Sequence, residues 1–131
     1  MTVNDLVRRA MRTLGVLRAG ENPKPSEAAD AIATLNDMLN AWIYEGMDLE
    51  FVQDLTGTDT LPYPDDHIAA FRYNLAVELA PEFGVQIDAV TAGLAGKYYR
   101  ALRTANVSPD TLSIDDALSP IYSRGIFQDF S

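Results

Sequence analysis

The sequence predicts a mainly α-helical protein, with four helices, a short β-hairpin between the second and third helices and an extended C-terminal tail. Three observations lead to this prediction. Apolar residues recur at spacings of three and four in four segments, helix-capping residues precede these segments, and most of them stop at glycine, proline or asparagine. The chain has 131 residues, of which 47% are hydrophobic, enough for one domain with a core. We predict a helical domain over residues 1–106 and a tail over residues 107–131.

The first predicted helix begins after Thr2 and ends at Gly15. Thr2 is a suitable cap, and Asp5 three residues later gives a capping-box pattern. An apolar stripe runs along this helix at Val3, Leu6, Val7, Ala10, Met11 and Leu14. Three arginines, Arg8, Arg9 and Arg12, fall off the stripe, so they form either a solvated face or a partner contact.

The second predicted helix follows a linker over residues 18–25 that is rich in Gly, Asn and Pro. Ser26 is the expected N-cap, and Gly46 is the expected end. Its apolar face consists of Ala29, Ile32, Leu35, Leu39, Trp42 and Ile43. A tryptophan on such a face is more often a core residue than a ligand-stacking residue, so we interpret Trp42 as a core anchor, together with Leu35 and Leu39.

Residues 47–64 have a different pattern, which favours a short hairpin. Leu49, Phe51 and Leu55 alternate with polar residues, Thr56-Gly57 is a turn signal, and residues 60–63 return as a second strand.

The third predicted helix starts at Asp65 and Asp66 and runs to about Ala80. Its amphipathic stripe is formed by Phe71, Leu75, Leu79 and then Phe83, of which Leu75 and Leu79 are predicted core anchors. Pro81 removes a backbone donor and must kink or end the helix, and Gly84 closes the turn.

The fourth predicted helix is capped by Asp88 and ends at Asn106. Its apolar face is formed by Val90, Leu94, Ala95, Tyr98, Tyr99 and Leu102. Gly93 and Gly96 each cost about 1 kcal/mol relative to alanine in a helix. Close approach of another helix, within the protomer or in a neighbouring copy, would explain them.

The charge is unevenly distributed along the chain. The net charge of −9 argues against ordinary nucleic-acid binding, which needs cations to displace phosphate counterions. Residues 1–18 and residues 97–106 are basic. Residues 19–96 contain fourteen acidic residues and two basic ones, Lys24 and Arg72. This separation suggests that copies pair head to side. The candidate inter-subunit charges are Arg8, Arg9, Arg12, Lys97, Arg100 and Arg103.

The sequence contains little that points to catalysis. It has no cysteine, so disulfides and thiolate metal sites are excluded. His67 is the only histidine, and no nucleophile elbow or phosphate-binding glycine loop is present. The sequence contains no run of about 18 apolar residues, so it predicts no membrane span. The N-terminus lacks a signal-peptide core. We expect a non-enzymatic protein without cofactor, metal or membrane partner.

Three segments together resemble a known family. They are Thr2-Val-Asn-Asp-Leu-Val with Leu14-Gly-Val, Leu35-Asn-Asp-Met-Leu-Asn-Ala-Trp with its flanks over residues 27–47, and Tyr73-Asn-Leu-Ala-Val-Glu-Leu-Ala-Pro-Glu-Phe-Gly84. In this order they resemble the tail accessory factors of short-tailed phages, also called packaged-DNA stabilisation or head-to-tail connector proteins. The resemblance covers residues 2–106. The β-rich insertion usual in the family is shortened here to residues 47–64, and the tail matches no motif of the family.

The resemblance implies a virion protein at the head-tail junction, present in the host cytoplasm during assembly. In this family a ring of twelve copies lies under the portal, extends the DNA channel, retains packaged DNA and holds a downstream tail or nozzle protein. Genomic DNA passes through without sequence-specific binding, which suits acidic walls that repel phosphates. The C-terminal segment of such connectors attaches to the portal, which assigns docking to the late apolar residues of the tail, Ile121, Tyr122, Ile126, Phe127 and Phe130.

Two alternatives remain open from the sequence. One is the related head-completion adaptor of long-tailed phages, which differs in the hairpin region and in the partner below the ring. The other is a small acidic helical regulator, such as a DNA mimic, which would be a monomer or dimer that binds a basic protein site.

Overall fold

The computed structural model describes residues 1–50 and 54–107. Within them the protein is mainly helical, which confirms the predicted class. Four α-helices are present, α1 (Val3–Leu14), α2 (Pro25–Tyr44), α3 (Ile68–Leu79) and α4 (Ala89–Asn106), with a 3-10 turn over Asp65–His67 before α3. No helix in these two ranges combines the length and the apolar character that crossing a membrane requires.

The predicted ends of α1 are confirmed. The Thr2 hydroxyl accepts a hydrogen bond from the Asp5 backbone N–H at 3.2 Å, and the Asp5 carboxylate accepts one from the Thr2 backbone N–H at 3.1 Å. The helix ends at Gly15, whose φ of 90° suits glycine. All six residues of the predicted stripe are buried. The capping residues and the apolar spacing therefore both predicted α1 correctly.

Two predictions for α2 are wrong. The N-cap is Lys24 and not Ser26, because Pro25 occupies the first helical position, where its fixed φ and missing N–H are well tolerated. Ala29 is exposed, since it projects about 120° around the helix from Leu35. The buried side of α2 consists of Ala31, Leu35, Met38, Leu39 and Trp42.

The central helix is α3, which contacts α1, α2 and α4. It ends at Leu79 before Pro81, as predicted, and Gly84 has a positive φ of 65°. The predicted single stripe is too narrow, because Ile68, Ala70 and Ala76 are buried as well as Phe71, Leu75 and Leu79. A helix that packs against three others is apolar on most of its circumference.

An aromatic cluster links α3 to its neighbours. The Phe71 ring is fully buried, and its centroid lies 5.9 Å from that of Trp42 on α2 and 5.1 Å from that of Tyr63. Trp42 in turn meets Tyr99 of α4 edge to face at 5.2 Å. Edge contacts of this kind add to the stabilisation that burial provides. The proposed core anchors lie around this cluster, with Leu35, Leu75 and Leu79 fully buried and Leu39 at 3% exposure.

The predicted hairpin is not confirmed. Residues 47–50 and 54–64 contain no strand, and Phe51 lies outside the described residues. The backbone groups of this segment pair elsewhere: Thr60 bridges to Thr2, and Met47 bridges to Val107. The ends of α1 and α4 thus take the pairing positions that a second strand would have filled.

Asn36 of α2 holds the same segment in place. Its side-chain Oδ1 accepts a hydrogen bond from the Leu55 N–H at 3.0 Å, and its Nδ2 donates one to the Leu55 carbonyl at 3.1 Å. Leu55 is 4% exposed. A single amide side chain therefore satisfies both backbone groups of a buried loop residue.

The predicted ends of α4 are confirmed, whereas part of its apolar face is not. The Asp88 carboxylate accepts a hydrogen bond from the Thr91 N–H at 2.6 Å, and the helix ends at Asn106. Val90, which was expected on the apolar face, is 73% exposed. Thr91, the next residue, is buried instead. Only the first residue of the proposed tail, Val107, is described.

Candidate functional site

The described surface that best fits a functional role is a group of arginines between α1 and α3. Arg9, Arg12, Thr13 and Arg72 line one open cleft of about 240 Å³. Arg9 and Arg72 also border an adjoining cleft of about 430 Å³, together with Asp65. We call Arg9, Arg12 and Arg72 the basic face. Like charges gathered on one surface repel one another in the isolated chain, so the arrangement favours an anionic partner.

The basic face lacks carboxylate partners within the described part of the chain. Over residues 1–50 and 54–107, the ion pair between permanently charged side chains is that of Arg8 with Asp5, and His67 contacts Asp66. The Nε of Arg72 is buried and has no hydrogen-bond partner among these residues. A guanidinium that is partly desolvated and incompletely hydrogen-bonded gains more than a fully solvated one from an incoming carboxylate or phosphate.

Aromatic contacts extend this cationic surface onto α4. The Arg72 guanidinium lies 4.5 Å from the ring centroid of Tyr73. Tyr73 stacks on Tyr98 of α4 with centroids 5.6 Å apart and planes 10° apart, and the Lys97 ammonium lies 5.7 Å from the Tyr98 ring. The two basic segments of the sequence are therefore connected through α3.

A cleft of opposite charge lies between α2 and the C-terminal end of α3. It has a volume of about 390 Å³ and is lined by Thr34, Asp37, Met38, Ala41, Glu78 and Glu82. Its three carboxylates are on exposed residues, and the Thr34 hydroxyl donates a hydrogen bond to Glu82 at 2.8 Å. We call Asp37, Glu78 and Glu82 the acidic cleft.

The two charged surfaces lie on different sides of α3. Glu78 follows Arg72 by six residues, which places the two side chains about 120° apart around the axis and about 9 Å apart along it. The protomer therefore presents a cationic surface in one direction and an anionic surface in another.

The other predicted inter-subunit charges are dispersed. Arg8 faces a separate cleft with Asn4 and Asn22, and its 2.8 Å ion pair with Asp5 is partly solvent-exposed, so it contributes little to stability. Arg103 donates to the Glu45 carbonyl at 3.4 Å. Arg100 is exposed on α4. Of the six candidates, Arg9 and Arg12 line a common cleft.

A local polar contact joins the C-terminal end of α2 to α4. The Tyr99 hydroxyl donates a hydrogen bond to the Glu45 carboxylate. Burial raises the pKa of Tyr99, and the negative charge of Glu45 raises it further. The phenol therefore stays protonated near neutral pH, which suits a structural contact.

The glycines of α4 do not mark an internal helix contact. A Cβ built on Gly93 meets nothing within 4 Å, and one on Gly96 meets only the Arg100 side chain of the same helix. The prediction that another helix of the same protomer approaches Gly93 and Gly96 closely is therefore wrong for the described residues. Close approach by a helix of a neighbouring copy stays a prediction.

Two further expectations concern chemistry and the tail. His67 approaches the Asp66 carboxylate at 2.9 Å, and residues 1–50 and 54–107 hold no group of three or more His, Cys, Asp or Glu side chains placed to bind a metal ion. The predicted docking residues Ile121, Tyr122, Ile126, Phe127 and Phe130 lie outside the described residues.

Arg72 is the functional candidate that sequence reasoning missed. It lies in the acidic middle segment of the sequence, next to Phe71 and off the Phe71–Leu75–Leu79 stripe, so the charge pattern does not single it out. Its position on the surface of α3 follows from helical phase, but its proximity to Arg9 and Arg12 requires the packing of α1 on α3.

Neither a scan against protein-family models nor a search of curated proteins finds a match to this chain.

Proposed function

We propose that this protein is a non-enzymatic head-to-tail adaptor of a short-tailed phage or prophage. In this proposal twelve copies form a ring under the portal protein, extend the DNA channel, retain packaged DNA and provide the platform for a downstream tail or nozzle protein. The protein acts in the virion at the head-tail junction, after assembly in the host cytoplasm.

The observation that carries the proposal is the ordered set of three segments that resembles the connector family. These segments correspond to α1, α2 and α3 with the Pro81 turn. The three helices contact one another and share one apolar core. The resemblance therefore falls on residues that pack together, and not on scattered surface positions.

The charge distribution supports the same function. A net charge of −9 disfavours tight binding to phosphates, so DNA would slide along a ring of such protomers without adhering. Separate cationic and anionic surfaces also suit side-by-side packing of identical copies in a closed ring.

The proposed portal contact is the apolar tail, with Ile121, Tyr122, Ile126, Phe127 and Phe130 as its docking residues. A cluster of large apolar side chains late in a polar segment is typical of a binding segment. Deletion of residues 120–131 is expected to abolish portal attachment while leaving the far-ultraviolet circular dichroism of the helical domain unchanged.

Negative-stain microscopy and mass photometry of the protein mixed with its purified portal protein test the proposal. We expect rings on one end of the portal, and none with the variant that lacks residues 120–131. A protein that stays monomeric and ignores the portal at high concentration contradicts the proposal. Binding instead to a basic protein site as a monomer or dimer would favour the acidic regulator.

A further inference from the structure

We propose that the basic face of one copy binds the acidic cleft of the next copy. Arg9, Arg12 and Arg72 of one protomer would pair with Asp37, Glu78 and Glu82 of its neighbour. This inference rests on the proposed ring, because it names the surfaces through which the copies of that ring touch.

The first argument is charge complementarity. Each surface presents three ionised side chains of one sign around a cleft, with volumes of about 240 and 390 Å³. Within residues 1–50 and 54–107, none of the six side chains forms an ion pair. Arginine is well suited to such a contact, since its planar guanidinium binds carboxylates through two parallel hydrogen bonds.

The second argument is the restricted position of the Arg72 side chain. The residue is half-buried, so part of the side chain is already desolvated. Tyr73 lies beneath the guanidinium at 4.5 Å from the ring centroid, which restricts the side chain before binding. A preorganised cation loses less conformational entropy when its partner arrives.

The third argument is that the two charged surfaces face in different directions. The basic face and the acidic cleft lie on different sides of α3, so a contact between them joins two different surfaces of identical copies. Such a heterologous contact generates a ring when the rotation closes, and a filament when it does not. A two-fold dimer would form this contact twice only if both surfaces lay on one side of the protomer, whereas Arg72 and Glu78 project about 120° apart around α3.

Duplex DNA is the less favoured partner for the basic face. Three arginines offer few phosphate contacts, and the remaining surface of a chain with net charge −9 repels the phosphates around them. The acidic cleft of a second copy instead brings three localised carboxylates to three arginines, and the local concentration of this partner rises as the ring grows.

Paired charge reversals test the contact. The variant Arg9→Glu with Arg12→Glu should weaken self-association at least about tenfold, because like charges would then face each other. Asp37→Arg with Glu78→Arg should weaken it similarly. An equimolar mixture of the two variants should recover assembly, since each reversed surface then meets a reversed partner. Analytical ultracentrifugation of the free protein and microscopy of portal-bound rings give the readouts.

The matched control is Arg18→Glu with Lys24→Glu, which changes the net charge by the same amount as the Arg9/Arg12 variant. Both positions are exposed, Arg18 in the linker and Lys24 at the N-cap of α2, where its side chain makes no capping hydrogen bond. It should assemble like the wild type. Equal assembly by the Arg9/Arg12 variant and this control overturns the inference, as does failure of the mixture to recover. So does a wild-type protein that self-associates neither alone nor on the portal. Loss of duplex-DNA binding with unchanged self-association would assign the arginines to DNA.

The outcomes separate this inference from the proposed function. Rings on the portal that tolerate the Arg9/Arg12 reversal retain the adaptor and reject this interface. Self-association that follows the charge pattern without any portal binding retains the interface and rejects the adaptor.

Discussion

The two sides of α1 lie in opposite environments. The inner side, from Val3 to Met11, packs against α3 with no exposed surface at its five apolar positions, while the outer side carries Arg9 and Arg12 next to Arg72. Burial of apolar area stabilises the inner side at roughly 25 cal/mol per Å². The outer side gathers charges of one sign and gains nothing comparable within the protomer. The difference indicates that the inner side stabilises the fold, whereas the outer side contributes little to it.

The largest expected effect comes from the inner side. Leu75 of α3 is fully buried in the core, so Leu75→Ala should lower the free energy of unfolding by about 2–5 kcal/mol. Urea denaturation measures the change, with Val90→Ala at a 73% exposed position as a control within about 0.5 kcal/mol. Arg12→Glu should also stay within this limit while it impairs assembly. A large loss of folding stability from Arg12→Glu would contradict the conclusion that only the inner side of α1 stabilises the fold.

The second-largest effect should come from the half-buried polar contact between Asn36 and Leu55. Asn36→Ala removes both hydrogen bonds to the Leu55 backbone, so it should lower the free energy of unfolding by about 1–3 kcal/mol. Amide hydrogen exchange at Leu55 should accelerate as well. Asn40→Ala is the control, since Asn40 is exposed on the same helix. If the two variants unfold alike, the Asn36 contact does not hold the segment.

The smallest expected effect is on the loss of folding stability at acidic pH. The hydrogen bond from the Thr91 backbone N–H lowers the pKa of Asp88 below the ordinary value of 3.8. Because the folded-state pKa is the lower one, this contribution to stability is complete above the unfolded-state pKa, and it is lost as the pH falls through the folded-state value. Asp88→Asn keeps a good capping side chain but does not titrate.

Urea denaturation between neutral pH and pH values below the ordinary aspartate range checks this expectation. Asp88→Asn should lose less stability on acidification than the wild type does, while the two differ little at neutral pH. Identical acid profiles would show that the Asp88 cap does not contribute to the pH dependence.

The sequence predicted best where the signals are local. The capping box of Thr2 and Asp5, the stripe of α1 and the stop before Pro81 depend on residues within one or two turns, and all three are confirmed. The hairpin depended on residues 60–63 pairing with the segment just before them, although its local turn signal does not decide which partner these residues take. The N-terminal residues compete for that pairing, and Thr60 bridges to Thr2, which alternation of apolar residues does not reveal.

The candidate site was predictable in part for the same reason. Arg9 and Arg12 lie one helical turn apart off an apolar stripe, so their common face follows from helical periodicity. Arg72 is about sixty residues away in a segment of opposite charge. Its place beside them depends on the packing of α1 against α3, and the position of the acidic cleft depends on that of α2 against α3.

Disulfide cross-linking between copies tests the proposed contact most directly, because the chain has no cysteine of its own. Thr13 borders the basic face and Ala41 borders the acidic cleft. The double variant Thr13→Cys with Ala41→Cys, assembled on the portal or at high concentration and then oxidised, should give a ladder of covalent oligomers ending at a closed ring. Each single variant should assemble under the same conditions but give no covalent oligomers. Dimers from either single variant, or no ladder from the double variant, would contradict head-to-side assembly through these two surfaces.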